Sequence, residues 1–176
     1  MPNAQPNLLD LVLYPDPGLR EVCKPVSAMN DQVDRLIDEM FYTMYDAPGI
    51  GLAAPQVAVQ QRVIVVDVSE GKDQPLALIN PKIIQQAGSI TWEEGCLSLP
   101  GIYAKITRPN HILVEGMNRE GKQIQIEASD LLAVCIQHEI DHLNGVLFVD
   151  HLSNLKRSRA LQQYRKLQLQ EENEEK

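Results

Sequence analysis

Ser129-Asp130-Leu131-Leu132-Ala133-Val134-Cys135-Ile136-Gln137-His138-Glu139-Ile140-Asp141-His142-Leu143-Asn144-Gly145 reads as one helix, from about Asp130 to Leu143. Ser129 stands at the N-cap, where a hydroxyl can accept from the free N–H groups of the first turn. Asn144-Gly145 supplies a stop that tolerates left-handed backbone. Within this helix His138 and His142 are four residues apart, so their imidazoles lie one above the other on one face and can share a metal ion. Glu139 lies beside that face, placed to exchange a proton with water at the ion. The plain alternative is two ordinary histidines on an amphipathic helix. The metal reading is the stronger one, because an HExxH string inside a confident helix seldom arises by chance.

Outward from this helix the pattern changes period. Arg62-Val63-Ile64-Val65-Val66-Asp67 is rich in β-branched residues and predicts a buried strand. Shorter strand-like runs follow at 76–80, 82–86, 89–92, 111–115 and 122–127, the last two joined by a hairpin turn at Asn118-Arg119-Glu120-Gly121. Further back, Asn30 caps a helix whose Val33, Leu36, Ile37, Met40, Phe41 and Met44 form one buried stripe. It ends at Asp46-Ala47-Pro48-Gly49. Residues 2–18 read as an extended arm with turns. Ser153 opens a polar third helix that frays into an acidic end. The chain is therefore expected to be α+β: short, mostly antiparallel strands around a central helix carrying HExxH, with a long C-terminal helix. It reads as a single domain over residues 1–170, followed by a disordered acidic tail at 171–176.

The 176 residues suffice for one domain with a real core, and 44% hydrophobic against 23% charged is an ordinary globular balance. No apolar run approaches a membrane span, and residues 1–13 lack the basic and greasy segments of a secretory signal. A net charge of −8 disfavours broad nucleic-acid binding. Cys23, Cys96 and Cys135 are an odd number with no export signal, so a disulfide framework is not expected and a reduced, cytoplasmic setting is.

Two histidines need a third ligand. His151 follows His142 too closely, beyond Gly145. Cys135 precedes His142 by seven residues, about 10.5 Å along the axis, and would strain a shared ion. With Leu131 and Val134 it is more simply an apolar wall. Cys23 lies in the exposed-looking arm and reads as structural. Cys96 remains, in Trp92-Glu93-Glu94-Gly95-Cys96-Leu97-Ser98-Leu99-Pro100-Gly101. Its own surroundings leave it open between a buried loop thiol and a ligand. One Cys and two His would leave a fourth position for water, as in a catalytic site. A third segment, Gly49-Ile50-Gly51-Leu52-Ala53-Ala54-Pro55-Gln56, superficially fits a dinucleotide fingerprint with Asp67 as its acid. A helix precedes it, and Pro55 would interrupt the helix that such a site needs next, so close backbone approach to a ligand explains the glycines better. Gln56 there offers an amide to a polarised oxygen.

The three segments together resemble the peptide deformylase family, whose motifs GxGLAAxQ, EGCLS and HExxH stand here at residues 49–56, 94–98 and 138–142 without departure. The resemblance runs from about Leu11 to Leu167 and looks like the bacterial type with a C-terminal helix. It implies that Cys96, His138 and His142 hold one divalent ion, usually Fe(II), with Zn(II), Ni(II) or Co(II) possible in purified protein. It makes Glu139 the general acid/base, with Gln56 and the Leu97 N–H binding the formyl oxygen and the Gly51 backbone meeting substrate backbone. Ile50, Trp92, Glu94, Leu131, Val134 and Cys135 fall where the family builds its pocket for the first side chain, usually methionine. Trp92 replaces a residue that is often a smaller aliphatic one, and Tyr103 stands where some members carry arginine. The implied activity is metal-dependent removal of the formyl group from the N-formylmethionine of newly made polypeptides, releasing formate. The implied partners are those polypeptides and the ribosome, met by the C-terminal helix through Lys156, Arg157, Arg159, Arg165 and Lys166. Neither DNA nor a membrane is expected as a partner.

Three rival readings remain: a zincin-like endopeptidase, which gives Cys96 no role; a closed zinc module, for which His111 is the one loosely plausible fourth ligand; and a dinucleotide-binding module, which lacks its strand before Gly49.

Overall fold

A computed structural model describes residues 4–176; the beginning of the expected arm, at residues 1–3, lies outside them. Three helices and seven strands follow in the order α1 (Asp31–Asp46), β1 (Gly51–Ala53), β2 (Val63–Val66), β3 (Leu76–Ala87), β4 (Ile90–Cys96), β5 (Leu99–Arg108), β6 (His111–Met117), β7 (Gln123–Ser129), α2 (Asp130–Leu143) and α3 (Asn154–Glu174). Five strands form an antiparallel sheet in the order β1-β2-β3-β6-β7, and β4 pairs antiparallel with β5 in a separate hairpin. The expected α+β arrangement is the one observed.

The two helices that carry apolar stripes explain why β2 is buried on both faces. Val63 and Val65 point into a cluster with Val33, Ile37, Met40 and Met44 of α1. Ile64 and Val66, on the alternate face, join Ala133, Ile136, Ile140 and Leu143 of α2. The sheet is thus a partition, with α1 on one side and the histidine helix on the other. A third cluster joins Leu99, Ile102 and Ile106 of β5 to Phe148, Val149 and Tyr164. It fastens α3 beneath the hairpin, and the Tyr164 hydroxyl donates to the Tyr14 carbonyl at 2.9 Å.

Several local expectations change. The runs at 76–80 and 82–86 are one strand, because Asn80-Pro81 forms an irregularity within it and does not end it. The Asn80 side chain replaces the lost ladder contacts by accepting from Val26 N–H and donating to Val26 carbonyl oxygen, both at 2.8 Å. The run at 89–92 extends to Cys96, since β5 pairs with it throughout. Strand β5 itself was not expected, because Leu99-Pro100-Gly101 mimics a turn. Ser129 occupies the N-cap of α2 without a side-chain cap bond. Asp130 enters at φ +57° and hands its N–H to the Asn110 carbonyl, while the Ser129 hydroxyl lies 3.2 Å from His111 Nδ1. Cys23 is buried, not exposed. The last helix continues through Glu174, so residues 171–174 are helical where a disordered tail over 171–176 was expected. Among the described residues no helix is long and apolar enough to cross a membrane.

Candidate metal centre and active site

The β4–β5 hairpin turns through only two residues, Leu97 and Ser98, with Cys96 paired to Leu99 across the turn. That tight end presents the Cys96 thiol to α2. Its Sγ and the ring nitrogens of His138 and His142 lie within 4.8 Å of one another, and Sγ to His142 Nε2 is 3.3 Å. Tetrahedral bonds of about 2.3 Å to sulfur and 2.1 Å to nitrogen would set those donors about 3.6 Å apart. The residues therefore fit a divalent cation bound by one thiolate and two imidazoles. Among the described residues no other such group occurs: Cys135, His111 and His151 stand outside it.

Each histidine is held differently. His138 Nδ1 lies 2.8 Å from Glu94 Oε1. An ionised carboxylate only accepts, so Nδ1 carries the proton and Nε2 is left for a cation. Burial opposes charge on the His138 ring, yet Cys96, Glu94 and Glu139 hold its pKa well above 6.5. His142 goes the other way: burial, then the positive charges of His138, Arg108 and Arg20, depress it well below that value. Glu94 is buried, which by itself would raise its pKa. Hydrogen bonds from His138 and Arg108 outweigh that and keep the carboxyl below its ordinary range.

Arg108 forms a fork on Glu94, with Nε 2.7 Å from Oε2 and Nη2 3.0 Å from Oε1, and its Nη1 reaches Asp141 Oδ2 at 2.9 Å. Sequence reading missed Arg108, Asp141 and Ser98. Nothing in Thr107-Arg108-Pro109 marks that arginine as buried, and no spacing rule links it to residues 94 and 141.

Glu139 lies beside His138, 3% exposed. Burial lifts its carboxyl to about 7, with His138 pulling down and Glu94 pushing up. Its Oε1 is 3.8 Å from His138 Nε2, while Oε2 has no protein partner among the described residues. A carboxyl near neutrality with one unused oxygen is suited both to take and to return a proton. Gln56 is fixed by its own oxygen, which accepts the Ala53 N–H at 2.9 Å. Its Nε2 is thereby turned toward Ser98 Oγ at 3.1 Å and Cys96 Sγ at 3.5 Å. Gly51 must be glycine for a local reason: a Cβ there would stand 2.7 Å from Cys135 Sγ and 3.0 Å from Glu139 Oε1.

Cys96, His138 and Glu139 line a cleft of about 680 Å³ whose wall includes Ile50, Trp92, Glu94, Leu131, Val134 and Cys135, all six residues expected around the first side chain. Cys135 Sγ sits 3.5 Å from the Ile50 carbonyl. Burial, with Glu139 and Glu94 nearby, pushes its thiol well above 9.0. It is a protonated wall residue. The Gly49 segment follows α1 and runs into β1 and a 3-10 turn at Ala54–Val57, which rules out the strand-glycine-helix context of a dinucleotide site.

A family profile described as "Polypeptide deformylase" matches residues 8–158. The chain belongs to the peptide deformylase family. It is 75% identical over 158 residues to a peptide deformylase of Hydrogenovibrio crunogenus, covering 90% of this chain and 94% of the relative. Identity to the peptide deformylase of Cellvibrio japonicus is 56% over 153 residues, 86% of this chain and 90% of that one. Among solved structures, a peptide deformylase from Legionella pneumophila superposes with a TM-score of 0.90 at 42% identity, covering 94% of this chain and 98% of that chain. A peptide deformylase from Synechococcus elongatus in complex with actinonin gives 0.85 at 46% identity, covering 91% and 89%. The solved deformylases share the fold, the profile spans residues 49–142 that carry the site, and the family implies a divalent metal.

Proposed function

We propose that Cys96, His138 and His142 hold one divalent cation in this deformylase, and that Glu139, Gln56 and Leu97 carry out hydrolysis of the formyl amide of N-formylmethionyl polypeptides. One observation carries the reading: three metal-binding atoms converge beside a buried carboxyl whose Oε2 is unused. A bound divalent ion would supply Lewis acidity and lower the pKa of water. Glu139 Oε2 accepts a proton from the attacking water as its oxygen bonds to the formyl carbon. Gln56 Nε2 and the Leu97 N–H donate to the formyl oxygen as it gains negative charge. Glu139 then returns the proton to the amide nitrogen while the C–N bond breaks, leaving formate and a free amino terminus. The Gly51 backbone meets the substrate main chain, and the wall from Ile50 to Cys135 receives the first side chain, methionine.

The mixed thiolate and imidazole set suits Fe(II), Zn(II), Ni(II) or Co(II), and Fe(II), the family's usual ion, is the proposed ion in the cell. Residues 1–170 act as one catalytic unit in the cytoplasm. The exposed Lys156, Arg159, Arg165 and Lys166 of α3 support docking on ribosomal RNA phosphates. Replacing these four by Gln should weaken ribosome binding in a salt-dependent way; unchanged binding refutes docking. The activity itself is tested by formate release from formyl-Met-Ala-Ser. Release should stop with chelator and return with Fe(II), Ni(II) or Co(II), and full activity of ion-free protein would overturn the assignment.

A further inference from the structure

The support of His138 does not end at Glu94. Arg108, whose side chain is 5% exposed, is shared between two carboxylates, Glu94 from β4 and Asp141 from α2. Asp141 Oδ2, which accepts from Arg108 Nη1, also lies 2.8 Å from His151 Nε2. A carboxylate only accepts, so His151 donates through Nε2. His151 ends the 3-10 turn Phe148–His151 and stands two residues before the N-cap of α3. A continuous line of hydrogen bonds therefore runs from the ring of one proposed ligand to the base of the C-terminal helix. Its steps are His138 Nδ1 to Glu94, Glu94 to Arg108, Arg108 to Asp141, and Asp141 to His151.

We infer that Arg108, Asp141 and His151 form a positioning arm that fixes the Glu94 carboxylate, and through it the His138 ring, in metal-binding orientation. The inference rests on the proposed metal site and deepens it. The physical reason lies in the geometry of Arg108. Its fork on Glu94 sets the plane of that carboxylate, but a guanidinium on a long side chain is itself free to rotate. The third contact, to Asp141, removes that freedom. Asp141 is 24% exposed and is in turn held from outside by His151. Asp141 is also three residues after His138 on the same helix, so the arm ties the β4–β5 hairpin bearing Cys96 to the helix bearing the imidazoles. Burial would lower the Arg108 pKa, but Glu94 and Asp141 outweigh it and hold the side chain charged.

The test uses the full-length protein loaded with Co(II), with affinity read by chelator competition and ligand geometry by the visible absorption of the ion. Arg108→Lys keeps the charge and loses the fork, and should weaken Co(II) binding by about ten- to a hundredfold and alter the absorption. His151→Phe, at an exposed position that tolerates the change, should weaken it by about two- to fivefold, the weight of a partly exposed pair. His151→Gln, which keeps a donor, should recover most of that loss. In an Asp141→Asn background His151→Phe should add little, because both act through one carboxylate. Arg119→Gln breaks a surface pairing with Asp34 and Asp38 and should leave Co(II) binding unchanged. Folded Arg108→Lys and His151→Phe proteins with native affinity and spectrum would overturn the inference, as would an equal loss in Arg119→Gln. Failure of the wild-type protein to bind Co(II) would instead overturn the metal site itself.

Discussion

Glu139→Gln gives a stability experiment on the cost of keeping a proton acceptor in a dry site. In the metal-free protein, burial raises this carboxyl from 4.5 to about 7. Below pH 4.5 it is protonated in both folded and unfolded chains and contributes no pH dependence. Between pH 4.5 and 7 the unfolded chain releases the proton while the folded one retains it, so the folded state loses stability as pH rises, and the loss levels off above 7. Integrated from pH 5 to pH 8, the difference is about 2.5 kcal/mol. Glutamine does not titrate. Urea unfolding of chelator-treated proteins should show the wild type losing about 2.5 kcal/mol more than Glu139→Gln over that interval. Any fixed cost of the amide, which inherits the unpartnered position of Oε2, cancels in the comparison. Parallel pH profiles for the two proteins would refute the buried, raised carboxyl.

Other substitutions probe the same site. Glu139→Ala should retain the metal yet lose formate release, and near-normal turnover would remove Glu139 from its role. Gln56→Ala should lower kcat by about a hundred- to a thousandfold with the metal retained, since one donor to the developing charge is gone; steady-state kinetics with elemental analysis checks this. Gly51→Ala forces a methyl to within 2.7 Å of Cys135 Sγ, so activity and melting temperature should both fall. Gly51→Ala/Cys135→Ala, which removes that sulfur, should regain part of the melting temperature. At the opposite side of the sheet, Asn30→Ala removes the side-chain acceptor that holds Val33 N–H at 2.9 Å and should cost about 1 kcal/mol in chemical denaturation without changing kcat.

The parts of this molecule legible in its sequence are those whose physics is local. Helical spacing reveals α1 and α2, and the four-residue interval of His138 and His142 places both on a common face. Cys96 was different. Its neighbours leave it open between a loop thiol and a ligand, and family resemblance assigned it; in the structure it meets the helix only because β4 pairs with β5. That strand was hidden, since Pro100 and Gly101 look like punctuation until a partner strand accepts them. Arg108, Asp141 and His151 could not be joined from sequence at all. Ion pairs across three elements follow no period, and a buried arginine is written like an exposed one. Asn80 is the converse case: a dipeptide that ordinarily ends a strand survives inside one, because Val26 accepts and donates where the ladder is lost.

The two-residue turn between β4 and β5 has a consequence for what this enzyme can tolerate in evolution or engineering. It supplies Cys96, the N–H of Leu97 and the Ser98 hydroxyl in three consecutive positions. A single inserted residue advances a strand by about 3.3 Å, whereas metal bonds tolerate about 0.2 Å. Chain length at this bend is therefore fixed, and a library that diversifies the enzyme should place its insertions in the exposed segment Glu70–Gln74, leaving the hairpin tip at its native count.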